Sequence, residues 1–437
     1  MPPELMTFRS HFLSLYQSAM DSLARSRPGA GAQLVQAATQ VAALKDAQKP
    51  IPQQAPAGFA PDDWTAARLA LQLLDARLHG NDAEATAIAG ELKDGNFDPN
   101  FLETITQYLQ YYGPNGKLRE PDYIPASPTM PVIPFKAAAT VAIVGDWGTG
   151  TPAAVDLAQQ MAQFDPDVVI HLGDIYYSGT PEECDRNFAA ILNRIFDRGR
   201  VPIYNLAGNH DMYCGGVGYY GLLPTLNPPP LSAQPASFFC LRSTDQRWQF
   251  IAMDTGRTDR DPFDVDTVLV EIDPHEEDWL AARIAEFSGK TILLSHHQFF
   301  STFAQIGPAQ PDGSLTPYNR NLDKTFNRFV AAAKTGGGTI AAWFWGHEHT
   351  LTVYKPYRGL DKGRCIGHGA VPVLAQDEDK PLSKVLNLPG VISVPLGVDG
   401  QVHAHGFVIL RFSQDGSCRA EYYNDTNPSE PAYAETL

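Results

Sequence analysis

VAIVGDWGTGTPAAVDLAQQMAQFDPDVVIHLGD (141–174) contains two short apolar, β-branched runs, each ending in Gly-Asp, with a helical stretch (153–164) between them. Strand, helix and strand in that order predict a βαβ unit, which requires a parallel sheet. The alternation continues outward through a helix over 182–195 and the run VPIYNLAGNHD (201–211). FFCLRS (238–243) and RWQFIAMD (247–254) then read as a strand pair, and HEEDWLAARIAEF (275–287) as an amphipathic helix. TILLSHH (291–297) and AAWFWGHEH (341–349) again run from strand into loop, and GFVILRFSQDGSCRAEYYN (406–424) predicts a hairpin turning at Gln414–Gly416. The expected class is α/β.

Upstream the pattern differs. Leu5, Phe8, Phe12, Leu15 or Tyr16, and Met20 recur at helical spacing. QLVQAATQVAALKDA, DDWTAARLALQLLDARLH, DAEATAIAGELK and FLETITQYLQYY read as further helices, with Asp62 or Asp63, Asn81 and Asn100 placed as N-caps and Gly80 and Gly95 as ends. The proline-rich PDYIPASPTMPVIP (121–134) reads as extended and semi-rigid. These features divide the chain into a helical N-terminal domain (1–120), a linker (121–136) and an α/β domain (137–437).

A net charge of -16 over 437 residues argues against broad nucleic-acid binding, because an acidic surface repels a phosphate backbone. A small phosphate substrate stays admissible, since bound cations invert the local sign. The five cysteines form no CxxC pair and their number is odd, which predicts buried thiols rather than a disulfide framework. No window has the length and apolarity of a membrane span, and polar residues interrupt any secretory apolar segment near the start. The default location is the cytoplasm, or outside it if a leader was removed. Oligomeric state is not legible.

Asp146, Asp174, Asn209, His210, His296, His347 and His349 each lie just past an apolar, strand-like run. In open α/β sheets, ligands bind beyond the carboxyl ends of the strands, so loops distant in sequence converge there. Oxygen and imidazole donors of this kind suit Fe, Zn or Mn. Any one member has an ordinary explanation as a turn or cap; all five blocks, in order and each at a strand end, point to one metal site.

The blocks GDWG (145–148), GDIYY (173–177), GNHD (208–211), LLSH (293–296) and GHEH (346–349) resemble the five-block signature of calcineurin-like metallophosphoesterases, and within them the purple acid phosphatases. The resemblance covers roughly residues 140–355 and implies a β-sandwich flanked by helices. It implies two metal ions: Asp146, Tyr177 and His349 on the first, Asn209, His296 and His347 on the second, and Asp174 bridging. His210 would stand beside the substrate as the catalytic acid, with Asp211 orienting it. Many relatives read Asp-x-His in the first block, where this chain has Gly148. Tyr177 then replaces the lost ligand, and a phenolate donor favours Fe(III), with divalent Fe, Zn or Mn beside it.

One departure stands out. The mammalian-type enzymes carry a further histidine just before a Gly-Pro, whereas this chain has Gln305 and Ile306 before Gly307-Pro308. That loosens any expectation about substrate and pH optimum. His297 should point away from His296 on an extended chain, yet it and His368 remain candidates to line the pocket. His171 reads as a satisfied core histidine. His403 and His405, with no carboxylate close in sequence, read as surface or core residues. KTGGGT (334–339) lacks the ending of a phosphate loop and reads as a turn.

The expected function is hydrolysis of phosphate monoesters by a metal-activated hydroxide, on a small phosphate-ester substrate. A phosphodiesterase acting on nucleotides or lipid head groups is the alternative. A partner-binding protein with a vestigial metal site is the reading of another class, and the filled ligand positions argue against it.

Overall fold

The computed structural model describes residues 11–25, 31–94, 120–260, 268–373, 375, 381–382, 385, 387–400 and 402–437. The expected helix over FLETITQYLQYY, the caps at Gly95 and Asn100, and Leu5 and Phe8 lie outside these.

Four helices open the described chain: α1 (His11–Arg25), α2 (Gly31–Asp46), α3 (Pro61–Leu78) and α4 (Asp82–Asp94). Phe12, Leu15, Tyr16 and Met20 are all buried, as their spacing on one helical face requires. They pack with Leu34, Val41, Trp64, Leu73 and Ile88 into one apolar cluster. Asn81 caps α4 through its side chain to the Glu84 amide at 3.4 Å. Asp62 and Asp63 sit in the first turn of α3, two and three residues inside the cap position Ala60, because Pro61 takes the first helical place.

Two large sheets and one two-stranded hairpin follow among the described residues. The six-stranded sheet contains β2 (Thr140–Val144), β3 (Val168–His171), β4 (Ile203–Asn205), β14 (Gly406–Phe412), β15 (Cys418–Asn424) and β16 (Tyr433–Thr436), in the order β16-β15-β14-β2-β3-β4. β2 and β3 pair in parallel across helix α5 (Pro152–Ala162), and β3 and β4 likewise across the helical run between Pro181 and Ile195. β14 and β15 form the expected hairpin, with Gly416 at φ +86 in its turn.

The eight-stranded sheet contains β1 (Ile133–Phe135), β5 (Phe239–Ser243), β6 (Trp248–Ala252), β7 (Lys290–Leu294), β8 (Thr339–Trp345), β9 (Leu351–Tyr354), β10 (Gly363–Ile366) and β11 (Val391–Ile392). Its order is β1-β5-β6-β7-β8-β10-β9-β11. The proline-rich stretch therefore does not end as free linker: Ile133–Phe135 pair with β5 at the sheet edge, where Pro134 is tolerated.

Val141, Ile143, Ile170 and Leu172 from one sheet meet Phe250, Ile292, Leu294 and Phe344 from the other in a sandwich core. α6 (Pro274–Ala285) and α7 (Arg320–Gly336) cover the outer face of the eight-stranded sheet through Leu280, Ile284, Phe326 and Phe329. α5 covers the other outer face through Leu157 and Met161. Gly337, from the glycine run, ends α7 at φ +77. The five cysteines are buried free thiols. Among the described residues no helix is long and apolar enough to cross a membrane.

Candidate metal centre

The sandwich brings the carboxyl ends of β2, β3 and β4 to the same rim as those of β7 and β8. Asp146 follows β2, Asp174 follows β3, Asn209 and His210 follow β4, His296 follows β7, and His347 and His349 follow β8. Apolar runs make the strands; the polar residue just past each run cannot join the core, so it emerges at the rim.

Close approach shapes this rim. A Cβ on Gly208 would strike the Asp174 carboxylate, and one on Gly346 would strike that of Asp146. Asp146, Asp174 and His347 adopt φ of +55, +74 and +67. That left-handed backbone costs non-glycine residues energy and is held here by the surrounding packing.

Asp146, Asp174 and His296 place one donor atom each within 4.8 Å of one another, as do His296, His297 and His347. His296 Nδ1–H donates to the Leu172 carbonyl at 3.0 Å, which turns the Nε2 lone pair toward the cluster. Burial, its largest influence, pushes His296 below the usual imidazole range. Its neutral Nε2 then faces Asn209 Oδ1 at 3.0 Å, His347 Nδ1 at 3.3 Å and Asp174 Oδ2 at 3.4 Å. Asn209 donates its amide to the Tyr213 hydroxyl, so Oδ1 is the atom it offers. Acceptor atoms gathered this closely in a buried site fit cations.

The Tyr176 hydroxyl, beside the expected Tyr177, lies 3.0 Å from Asp146 Oδ1, 3.0 Å from Asp174 Oδ2 and 3.1 Å from His349 Nε2. One hydroxyl proton serves one of three acceptors. Burial first, then Asp146 and Asp174, push this phenol well above its ordinary range. The Tyr177 carbonyl accepts from His210 Nδ1 at 2.6 Å.

Asp211 has a different task from the one expected. It accepts the amides of Gly208 at 2.8 Å, Asp174 at 3.0 Å and Ile175 at 3.2 Å, binding two blocks together. The Tyr177 carbonyl takes the role of orienting His210, leaving His210 Nε2 3.9 Å from Asp174 Oδ2. His297 also differs from expectation. The chain leaves its extended path after Leu294, and the His297 ring stacks 4.4 Å from that of His347. Thr255 Oγ1 meets His297 Nδ1, and Asp259 Oδ2 meets Nε2, each at 3.0 Å. Sequence reasoning missed Thr255 and Asp259. Their signal was the strand end MDTG (253–256), the same kind of position as the five blocks.

His171 is a satisfied core residue, its Nδ1 2.7 Å from Asn205 Oδ1. His368 is buried with Nε2 against Gly406, and burial lowers it to about 3. His403 and His405 do have carboxylates near them in space. They line a cleft of about 640 Å³ with Asp156, Asp399 and Asp425. These donors do not converge as the central ones do: among the described residues only the two groups above gather tightly enough for one ion.

Residues 139–351 match the model of the calcineurin-like phosphoesterase family. This segment resembles the calcineurin-like phosphoesterases. The family uses a dinuclear metal centre, and the Asp and His cluster is consistent with one. A curated relative from Synechococcus, a probable cyclic nucleotide phosphodiesterase, is 26% identical over 147 residues, 34% of this chain and 48% of the relative. The match thus spans about half that relative's length. Among solved structures, a purple acid phosphatase from yellow lupin seeds shares 16% identity at a TM-score of 0.43, over 70% of this chain and 55% of that one. GAP50, the anchor in the inner membrane complex of Plasmodium, shares 14% at a TM-score of 0.45, over 69% and 89%.

Proposed function

We propose that the chain hydrolyses phosphate monoesters at a purple-phosphatase-like centre, with the phenol supplied by Tyr176. Asp146, Tyr176 and His349 would hold an Fe(III), and Asn209, His296 and His347 a divalent Fe, Zn or Mn, with Asp174 shared. The observation that carries this reading is the Tyr176 hydroxyl between Asp146, Asp174 and His349. A phenol so strongly disfavoured as an anion loses its proton readily only beside a highly charged cation.

Bound there, the metal pair would supply Lewis acidity and an activated water nucleophile. The protein's own part is orientation and proton handling. His210, with Nδ1–H spent on the Tyr177 carbonyl, presents Nε2 to hydrogen-bond the phosphoryl group or protonate the leaving oxygen. His297, held by Thr255 and Asp259 through both ring nitrogens, would buttress the His347 ring rather than act on the substrate. The division into a helical domain (1–120), a linker and a catalytic domain (137–437) belongs to the same reading, as does a cytoplasmic location, where buried free thiols are stable.

Metal analysis with visible spectra of wild type, Tyr176→Phe and Tyr177→Phe tests the assignment. We expect iron and a phenolate charge-transfer band that Tyr176→Phe abolishes and Tyr177→Phe keeps. A band lost only in Tyr177→Phe returns the ligand to Tyr177; a colourless, iron-free, fully active enzyme removes iron and leaves a phosphoesterase. The name of the Synechococcus relative favours a second reading, a phosphodiesterase on cyclic nucleotides. Turnover of bis-p-nitrophenyl phosphate or a cyclic nucleotide above p-nitrophenyl phosphate would select it.

A further inference from the structure

We infer that Glu183 is a positioning residue for His210, and that helix α1 of the N-terminal region completes its carboxylate shell. The inference rests on the phosphohydrolase reading above for what His210 does, but its geometry is independent of that reading.

The Glu183 side chain is buried, with 4% of its surface exposed. A buried carboxylate is costly unless hydrogen bonds fill its lone pairs. Here Oε1 accepts the Tyr177 amide at 2.8 Å and the Ser18 hydroxyl at 2.8 Å. Oε2 accepts the amides of Ser178 and Thr180, each at 3.1 Å. Thr180 Oγ1 returns a bond from the Glu183 amide at 3.2 Å, closing a capping box. A capping box alone needs only the Thr180 contacts. The other three donors draw the whole 177–180 loop and α1 onto one anion.

The link to His210 follows from peptide planarity. The Ser178 N–H and the Tyr177 C=O belong to one peptide group and point in opposite directions. Anchoring the N–H on Glu183 aims the C=O the other way, where it accepts His210 Nδ1–H at 2.6 Å. The negative charge on Glu183 also polarises that peptide and strengthens the bond on its far side. His210 is thereby held with Nε2 facing the reaction site. The preceding peptide is tied as well, since Asn187 Nδ2 donates to the Tyr176 carbonyl at 2.6 Å.

α1 reaches this loop at two places. Ser18 bonds Glu183, and Asp21 pairs with Arg186 Nη2 at 2.9 Å. Tyr213 and Cys214, just after the GNHD block, pack inside the apolar cluster of the N-terminal helices. The helical region therefore grips both segments that flank His210. This gives residues that carry no motif of their own a part in the chemistry.

Full-length wild type, Glu183→Gln and Ser18→Ala, each zinc-loaded, are compared by two measurements. Long-range proton–nitrogen spectra report the His210 tautomer: wild type should show Nδ1–H alone, and Glu183→Gln a mixture. Turnover of an alkyl phosphate should fall on the order of 10²-fold in Glu183→Gln, the scale of a misplaced catalytic group. Zinc content and KM should hold, and an ester with a good leaving group should suffer far less. Ser18→Ala should show the same pattern more weakly, and Glu183→Asp should recover part of the loss. A single Nδ1–H tautomer with wild-type turnover in Glu183→Gln overturns the inference. Should that variant fail to fold, Ser18→Ala and Glu183→Asp decide on the same readouts. If wild type cleaves no phosphate ester, the functional reading fails while the tautomer comparison still decides the positioning role.

Discussion

Asp174 faces both halves of the centre. One carboxylate oxygen accepts the His210 amide at 3.0 Å; the other lies 3.0 Å from the Tyr176 hydroxyl and 3.4 Å from His296. Burial works to raise this carboxyl, and the bond from the His210 amide is among the contacts that hold it below the usual carboxylate range. The ring of its neighbour in function, His210, is tied to the Tyr177 carbonyl. The two residues should therefore fail differently. Asp174→Ala should lose metal, measured by elemental analysis after gel filtration. His210→Ala should keep both metals and lose roughly 10²–10⁴-fold in turnover, the range for a general acid. Full turnover with full metal in His210→Ala would remove it from the mechanism. Residue types at this scale were largely legible in the sequence. That the Tyr176 hydroxyl meets Asp146, Asp174 and His349 was not, because that depends on the loop path after Asp174. Asp211 escaped for a similar reason: its partners are amides of Asp174 and Ile175, more than thirty residues away.

Strands deliver these residues, and their ends carry further consequences. β15 ends at Asn424, and Asp425 turns into the cleft between α5 and the hairpin of β12 (Val398–Asp399) with β13 (Val402–His403). Burial, then the charge of Asp399, raises the Asp425 carboxyl to about 6, although the His405 amide at 3.1 Å partly offsets this. Between pH 3.8 and 6 the folded protein then holds a proton that the unfolded chain has released. This group's contribution to stability is therefore full at the acid end of that window and is lost as pH rises through it. Asp425→Asn keeps an acceptor and removes the charge. It should stabilise the protein by about 1 kcal/mol at pH 7, allowing for solvent screening, and by nothing measurable at pH 4. Urea midpoints at the two pH values check this; equal shifts at both would show that ionisation is not the cause. The strands that carry the five blocks were readable because hydrophobic runs and their periods are local, whereas the short strands β9, β10, β11 and β16 were not foreseen. β1 was not, since a short run rich in proline becomes a strand only through its pairing with β5.

Across the whole molecule, five loops from two sheets meet at one rim, so the centre ties the halves of the sandwich together. A metal bound at 1,000 times its Kd adds about 4 kcal/mol to stability. Chelation should accordingly lower the melting temperature on the order of 10 °C, and added zinc or iron should restore it. An unchanged melting curve after complete demetallation would mean that the site is preformed without help from the ion. The N-terminal helices form a core of their own, yet they also bury Tyr213 and Cys214 beside the GNHD block. The βαβ alternation and the five strand-end blocks are written in local apolar patterning, and the sequence alone determined them. Four things waited on the tertiary structure: the order of strands in the sheets, the placement of the Tyr176 hydroxyl, the backbone hold on His210, and the bond from α1 to Glu183. The last three depend on where a side chain or carbonyl points after the chain turns, and that direction, like the strand order, is set by packing between segments far apart in sequence.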